Sequence, residues 1–256
     1  MYRPAPSALS VFCGAILCAA QPAVPIAGQW TLAAMPTADQ VQLTIRYASP
    51  ETNLNSSTEV PLALLRGLTR AQFESSGATV AFEVTRDAGT LHFQGFLQNR
   101  GGDGTFTFNA NPAFAPEMRS LGLDNPGDEM VFAMAVHDVS PAYVRELRAA
   151  GVDSNSAGEW LAMRIHKVTA DYDRELEALG LGNLSAGTLI AMRIHGVTAE
   201  FVRNLAAVGY RPNAGQLLAF RIHGIDAGFI RRAQANGIRN PSIEQLLSLK
   251  IHGGLE

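Results

Sequence analysis

The sequence contains very little cysteine and very little lysine. Two of its 256 residues are cysteine, Cys13 and Cys18, and two are lysine, Lys167 and Lys250. Both cysteines fall within the first twenty residues, so residues 21–256 offer no thiol for a disulfide, a nucleophile or a metal site. The formal charge of −3 has the wrong sign for a surface that neutralises phosphates. The composition therefore argues against a redox site and against a dedicated nucleic-acid binder.

Recognisable catalytic motifs are also missing. No nucleophile elbow, Walker loop, dinucleotide fingerprint or His-Glu-x-x-His zinc motif occurs. We therefore expect no catalytic residue, no cofactor and no bound metal. A pair of carboxylates brought together by the fold would leave no mark in a single sequence, so enzymatic activity stays open.

The first twenty residues predict export. Arg3 precedes the apolar run 8–20, whose 13 residues are too few to cross a bilayer as a helix. Cleavage after Ala20 would place Cys18 at position −3, and small residues at −3 and −1 are typical of a secretory signal peptide. We expect a periplasmic or extracellular protein with an extended linker at 21–28 and no membrane span after cleavage. A retained N-terminal anchor is the alternative, and the large residues before both cysteines disfavour a lipoprotein.

Residues 29–110 predict a small antiparallel β domain. Val41–Tyr47 and Val80–Arg86 alternate apolar and polar side chains, which is the period of half-buried strands. A tight turn at 87–89 and the glycine-rich segment 99–104 would close hairpins, since glycine and asparagine tolerate positive φ.

Two stretches of this domain have weaker signals. The serine- and asparagine-rich residues 49–58 are expected to form a loop between strands. Residues 61–67 are compatible with either a strand or a helix.

Residues 111–256 contain a five-fold repeat, which the histidines reveal. Five of the six histidines are separated by 29, 29, 28 and 29 residues: His137, His166, His195, His223 and His252. A fixed period in the range of 20–50 residues predicts a repeat array. The units span 111–139, 140–168, 169–197, 198–225 and 226–256.

Each unit predicts two helices. The unit begins with a residue that suits a helix N-cap: Asn111, Ser140, Thr169, Thr198 or Asp226. Eleven residues later comes a glycine that suits a left-handed helix stop: Gly122, Gly151, Gly180, Gly209 or Gly237. The second half, as in 185–196, spaces its apolar residues by three and four, and this helical apolar face includes Ile194 and its equivalents Ile165, Ile222 and Ile251. We therefore predict an α+β protein, a small β domain followed by an α-solenoid of five helix pairs.

The repeated histidines are expected to be structural. One imidazole per unit cannot converge on one metal ion, because packed helices lie about 8–10 Å apart and zinc ligands lie about 2 Å from the ion. Each histidine is predicted to end its helix, where its N–H groups would meet free carbonyls. His92, outside the repeat, has no visible partner.

Basic residues also recur in phase with the repeat. Two positions before each of the last four histidines stand Arg164, Arg193, Arg221 and Lys250. These residues are our candidate interaction stripe for an anionic partner, such as a surface polymer or an acidic peptide. The favoured alternative is ion pairing between repeats, because acidic residues slightly outnumber basic ones there; the candidate acids are Glu146, Asp171, Glu175, Glu177 and Glu200.

The repeat segment Arg193–Tyr210 resembles helical repeats of bacterial exported proteins and of the tails attached to BlaR1/M56-type metallopeptidase sensors. The resemblance covers roughly residues 111–256 and implies an extracytoplasmic interaction or sensing module. It does not imply protease activity, because the zinc motif and the several membrane spans of the peptidase are missing here.

We therefore expect a non-enzymatic exported protein whose array binds another envelope or extracellular protein. One alternative is a hydrolase that acts on an envelope polymer, with its site at the β/helical junction near 109–111. A purely structural envelope protein is the third possibility.

Overall fold

The structure, a computed structural model, describes residues 25–37 and 39–253. Within them, a six-stranded antiparallel sheet is followed by five pairs of helices, so the α+β fold is as predicted. The predicted signal peptide, residues 1–20, lies outside the described residues.

The six strands pair in the order β3-β2-β1-β6-β5-β4, so β3 and β4 are the edges of the sheet. In chain order the strands are β1 (Ile26–Ala34), β2 (Gln40–Ala48), β3 (Asn53–Pro61), β4 (Ala78–Arg86), β5 (Gly89–Gln98) and β6 (Gly101–Ala110). A 3-10 turn (Leu62–Leu64) and the short helix α1 (Arg70–Phe73) connect β3 to β4. The alternation in β2 and β4 places their apolar side chains in the core, as predicted: Val41, Leu43, Ile45, Val80, Phe82 and Val84.

The first strand begins inside the predicted linker 21–28. Ile26 already lies opposite Phe108 of β6, and the pairing continues through Gly28. A Cβ at Gly28 would meet the Arg46 carbonyl and the Phe106 ring, so the missing side chain lets the neighbouring strand and ring approach. The linker interpretation is wrong for 26–28, because ladder hydrogen bonds extend the strand past the alternating apolar pattern.

The polar stretch 49–58, predicted to be a loop, contains most of β3. Its residues pair continuously with β2, from Asn53 opposite Ala48 to Pro61 opposite Gln40. The Thr44 and Ser57 hydroxyls lie 2.7 Å apart across this pair. An edge strand built from serine and asparagine carries no apolar alternation, so the sequence pattern could not reveal it.

The glycine-rich segment 99–104 closes a hairpin, but with a shorter turn than expected. Asn99 and Arg100 alone form the turn, with φ of 51° and 63°. The glycines belong to β6, where a Cβ at Gly102 or Gly104 would clash with the backbone of β5.

The five helix pairs follow the predicted repeat. They are α2 (Phe114–Ser120) with α3 (Asp128–His137), α4 (Pro141–Ala149) with α5 (Ala157–Ile165), α6 (Ala170–Glu177) with α7 (Ala186–Ile194), α8 (Ala199–Ala206) with α9 (Ala214–Ile222), and α10 (Ala227–Ala235) with α11 (Ile243–Ile251). The second helices contact one another in succession, α3 with α5, α5 with α7, α7 with α9 and α9 with α11. Isolated helices of eight or nine residues are marginal, so stacking must supply most of their stability.

The predicted helix starts are confirmed in four units. The side chains of Ser140, Thr169, Thr198 and Asp226 each accept a hydrogen bond from the backbone N–H three residues later. Asn111 does not cap a helix: its Oδ1 accepts from the N–H of Ala113 in a turn, and α2 begins at Phe114. The Asn111 amide instead donates to the Asp87 carbonyl at 2.9 Å, which ties the start of the array to the β4–β5 turn.

The predicted helix stops are confirmed in all five units. The five glycines have φ between 80° and 94°, a conformation that is costly for any residue with a Cβ. They are Gly122, Gly151, Gly180, Gly209 and Gly237.

Helix α3 joins the array to the sheet. Phe132 stacks on Phe106 with ring centroids 5.6 Å apart and meets the Tyr47 ring edge-on at 5.3 Å. One turn earlier, Glu129 accepts hydrogen bonds from the Tyr47 hydroxyl at 2.8 Å, from Ser49 at 2.6 Å and from Thr52. The sheet and the helices therefore share one core.

Candidate interaction surface

The four residues of the candidate stripe occupy equivalent places on α5, α7, α9 and α11. Each cation lies over the aromatic ring that stands three residues after the N-cap of its own repeat. The distances to the ring centroids are 5.0 Å for Arg164 over Tyr143, 4.2 Å for Arg193 over Tyr172, 4.8 Å for Arg221 over Phe201 and 5.1 Å for Lys250 over Phe229. Each cation–π contact connects the second helix of a repeat to the first helix of the same repeat.

The three arginines also bind the preceding repeat. Arg164 Nε donates to the His137 carbonyl at 3.3 Å, Arg193 Nε to the Lys167 carbonyl at 2.8 Å and Arg221 Nε to the His195 carbonyl at 3.0 Å. These carbonyls stand at the ends of second helices, where no backbone N–H is available to them. The arginines therefore connect neighbouring repeats.

The expected ion pairs with acidic residues are mostly replaced by other contacts. Of the five candidate acids, Asp171 pairs with Arg174 at 3.0 Å, but within α6 rather than between repeats. Between repeats, Arg145 pairs with Glu117 at 2.7 Å. In the stripe itself, carbonyls and rings take the place of the predicted carboxylates, except that Arg164 binds Asp138 at 2.8 Å.

An exposed row of isoleucines runs beside these basic residues. Ile165, Ile194, Ile222 and Ile251, which we call the isoleucine row, are between 43% and 58% exposed. Four residues earlier on each helix, and therefore on the same face, a half-buried apolar residue adds to the surface: Leu161, Ile190, Leu218 and Leu247.

The apolar periodicity placed Ile194 on one helical apolar face with Leu189 and Met192, but the structure separates these residues. The core-facing side of α7 is filled by Leu189 and Met192, which are fully buried, while Ile194 lies outside. The helix has apolar residues on two faces, and a spacing of three and four does not distinguish them. In the first repeat the equivalent residue, Val136, is half-buried and lines the cavity beside β3.

The repeated histidines stand at helix ends, as predicted. His137 is the last residue of α3, and the other four are C-caps. Among residues 25–37 and 39–253 their imidazoles make no hydrogen bond, so the expected imidazole–carbonyl contacts are not formed; arginines meet three of those carbonyls instead. Burial lowers the pKa of His137.

His92 has partners that the sequence did not reveal. Its Nδ1 lies 3.6 Å from a Glu83 carboxylate oxygen on β4, and its Nε2 lies 3.3 Å from the Asn109 amide on β6. The cleft beside it measures about 430 Å³, and its described lining contains no serine, threonine or cysteine. Glu83 and His92 lie at ion-pair distance, but the described cleft wall offers them no hydroxyl or thiol to activate.

Within the described part of the chain, no group of three or more His, Cys, Asp or Glu side chains could hold a metal ion. No helix there is long and apolar enough to cross a membrane.

No protein-family model, no curated protein and no solved structure matches the chain. The resemblance of its repeats to the tails of BlaR1/M56-type sensors stays a prediction.

Proposed function

We propose that the chain is an exported, non-enzymatic protein that binds another envelope or extracellular protein through its helical array. The observation that carries this proposal is the isoleucine row. Single exposed apolar residues are ordinary on protein surfaces, but a contiguous apolar strip is typical of an interaction site. Here the same position is apolar and exposed in four successive repeats.

The arrangement also has the usual anatomy of a protein interface. Arg, Ile and His follow one another in the chain, so a basic residue precedes each isoleucine and a histidine follows it. An apolar centre with a polar rim is what protein interfaces present. Repeat arrays commonly bind partners through such extended, equivalent positions.

Burial of the isoleucine row against a partner would stabilise the complex. Completing the burial of one half-exposed isoleucine stabilises a complex by about 1 kcal/mol, so the four together would contribute about 4 kcal/mol to binding. The basic residues favour a partner whose apolar contact surface has acidic groups at its edge. The signal-like N-terminus, 1–20, supports a partner outside the cytoplasm.

The proposal is tested by site-specific photo-crosslinking in the cells that produce the protein. A photoreactive residue replaces Ile194 or Ile222 in the row, and Glu175 or Arg203, which are exposed on first helices, as matched controls. We expect one discrete crosslinked product from the row positions and none from the controls. Equal crosslinking at all four positions, or none at any of them, would contradict the proposal.

A further inference from the structure

A cavity of about 580 Å³ lies between the sheet and the second repeat. The ends of β3 and β4 form one wall, at Thr58–Val60 and Arg86. The C-terminal ends of α3 and α5 form the other, at Val136–Asp138, Arg164–Ile165 and Lys167–Thr169, with Arg193 beside them. The cavity is separate from the outer part of the isoleucine row, although Ile165 belongs to both.

The charged groups around this cavity are unbalanced. Four cations line it, Arg86, Arg164, Lys167 and Arg193, against the two acids Glu59 and Asp138. The helix dipole places about half a negative charge at the C-terminal end of each of the two helices. This lowers the excess of positive charge around the cavity but does not remove it.

The hydrogen bonds within the cavity leave cationic donors unused. The Asp138 carboxylate is shared between two guanidinium groups, Arg86 at 3.3 Å and Arg164 at 2.8 Å. Arg86 Nε is buried and has no hydrogen-bond partner in the described structure. A buried donor without a hydrogen-bond partner costs free energy.

The repeat pattern changes at the cavity. The residue after each repeated histidine has positive φ, and in the last three repeats it is glycine: Gly196, Gly224 and Gly253. In the first two repeats, whose helix ends line the cavity, it is Asp138 (φ 59°) and Lys167 (φ 57°). A left-handed conformation costs a residue with a Cβ about 1–2 kcal/mol. Two charged residues thus occupy strained positions where the other repeats carry glycine.

Lys167 and Arg193 are neighbours in the lining of the cavity. Arg193 Nε donates to the backbone carbonyl of Lys167. The Lys167 ammonium has no ion-pair or hydrogen-bond partner among the described residues. An anion in the cavity would supply the Lys167 ammonium with an ion-pair partner.

We propose that this cavity is a binding site for an oxyanion, a carboxylate or phosphate group, held by Arg86, Lys167 and Arg164. Arginine and lysine form their strongest hydrogen bonds with such groups. The site shares Ile165, Arg164 and Arg193 with the row and the stripe, but three of the four row positions lie outside the cavity.

The test is calorimetric titration of the purified full chain with inorganic phosphate and with acetate, at constant ionic strength. We expect saturable binding of at least one anion, and the anion that binds identifies the group. Lys167→Gly should weaken binding by about tenfold or more, the value of one charge-assisted hydrogen bond. Arg203→Gln, which removes one exposed positive charge outside the cavity, should leave binding unchanged.

Lys167→Gly keeps the experiment decisive, because glycine is the residue of the later repeats and relieves the strain at φ 57°. This variant should be at least as stable as the original chain, so loss of binding cannot be assigned to unfolding. No saturable binding of either anion, or binding that Lys167→Gly does not change, would overturn the proposal.

Discussion

The Arg193 guanidinium carbon lies 4.2 Å from the centre of the Tyr172 ring, while its Nε donates to the carbonyl of Lys167 at 2.8 Å. One side chain thereby joins two helices of its own repeat and the end of the preceding repeat. Arg164 and Arg221 repeat this arrangement on either side. The phased basic residues thus hold the array together, whatever they contact outside it.

Replacing Arg193 with methionine keeps much of the aliphatic stem and removes both polar contacts. We expect a loss of about 1–2 kcal/mol in the free energy of unfolding, from one cation–π contact and one charged hydrogen bond. Urea denaturation measures this change. Arg203→Met on the exposed side of α8 is the matched control and should change stability by less than about 0.5 kcal/mol. Equal effects of the two substitutions would show that Arg193 does not connect the repeats.

Tyr172 provides a second bond within its repeat, because its buried hydroxyl donates to the Val197 carbonyl at 2.6 Å. Phe201 fills the equivalent position in the next repeat, so Tyr172→Phe should fold with the same backbone. We expect a loss of about 1 kcal/mol, because the Val197 carbonyl loses its donor.

The same variant should also respond differently to alkali. Burial raises the pKa of Tyr172 to about 12 from an ordinary value of 10. Between these values the unfolded chain releases the proton while the native chain retains it, so stability falls as the pH rises. Tyr172→Phe should show a shallower fall between pH 10 and 12 in urea denaturation; an unchanged slope would contradict the assignment.

Glu129 should make the sheet–array junction sensitive to acid. Hydrogen bonds from Ser49, Thr52 and Tyr47 hold the pKa of its carboxyl below the usual 4.5. As the pH falls through 4.5 toward the native pKa, the unfolded chain takes up the proton first, and this contribution to stability is lost. Glu129→Gln should therefore lower stability at pH 7 and flatten the acid decline.

Glu117→Gln is the control for that experiment, because Glu117 makes a surface ion pair with Arg145 within the helical array. Thermal unfolding followed between pH 3 and 7 compares the two variants. An acid decline that is as steep in Glu129→Gln as in the original chain would contradict the role given to Glu129.

If the protein is exported, the N-terminus of the mature protein can be predicted. If residues 1–20 act as a signal peptide, the protein recovered outside the cytoplasm should begin at Gln21. Intact-mass measurement of that protein checks this. A chain that retains Met1–Ala20 and stays in the cytoplasm would contradict export and any partner in the envelope.

The elements that follow local rules could be predicted from the sequence. Thr169 caps α6 and Gly180 ends it because capping chemistry and positive φ depend on single residue types. Strand β2 followed from the alternation of Val41, Leu43 and Ile45. These rules act over a few residues, so one sequence was enough.

The features that depend on tertiary contacts could not be predicted. Leu189 and Ile194 are both apolar residues of α7, and only the packing of neighbouring helices decides that one is buried and the other exposed. His92 gains Glu83 and Asn109 through strand register. Strand β3 exists because β2 supplies hydrogen bonds to a polar segment, which apolar alternation cannot signal.

The isoleucine row is proposed to bind a protein partner. The most direct test of this proposal is the affinity of the crosslinked partner, once purified, for the double variant Ile194→Ser, Ile222→Ser. Because both side chains are about half exposed, we expect the array to remain folded while the dissociation constant rises by about tenfold or more. An unchanged dissociation constant, with the array still folded, would contradict the claim.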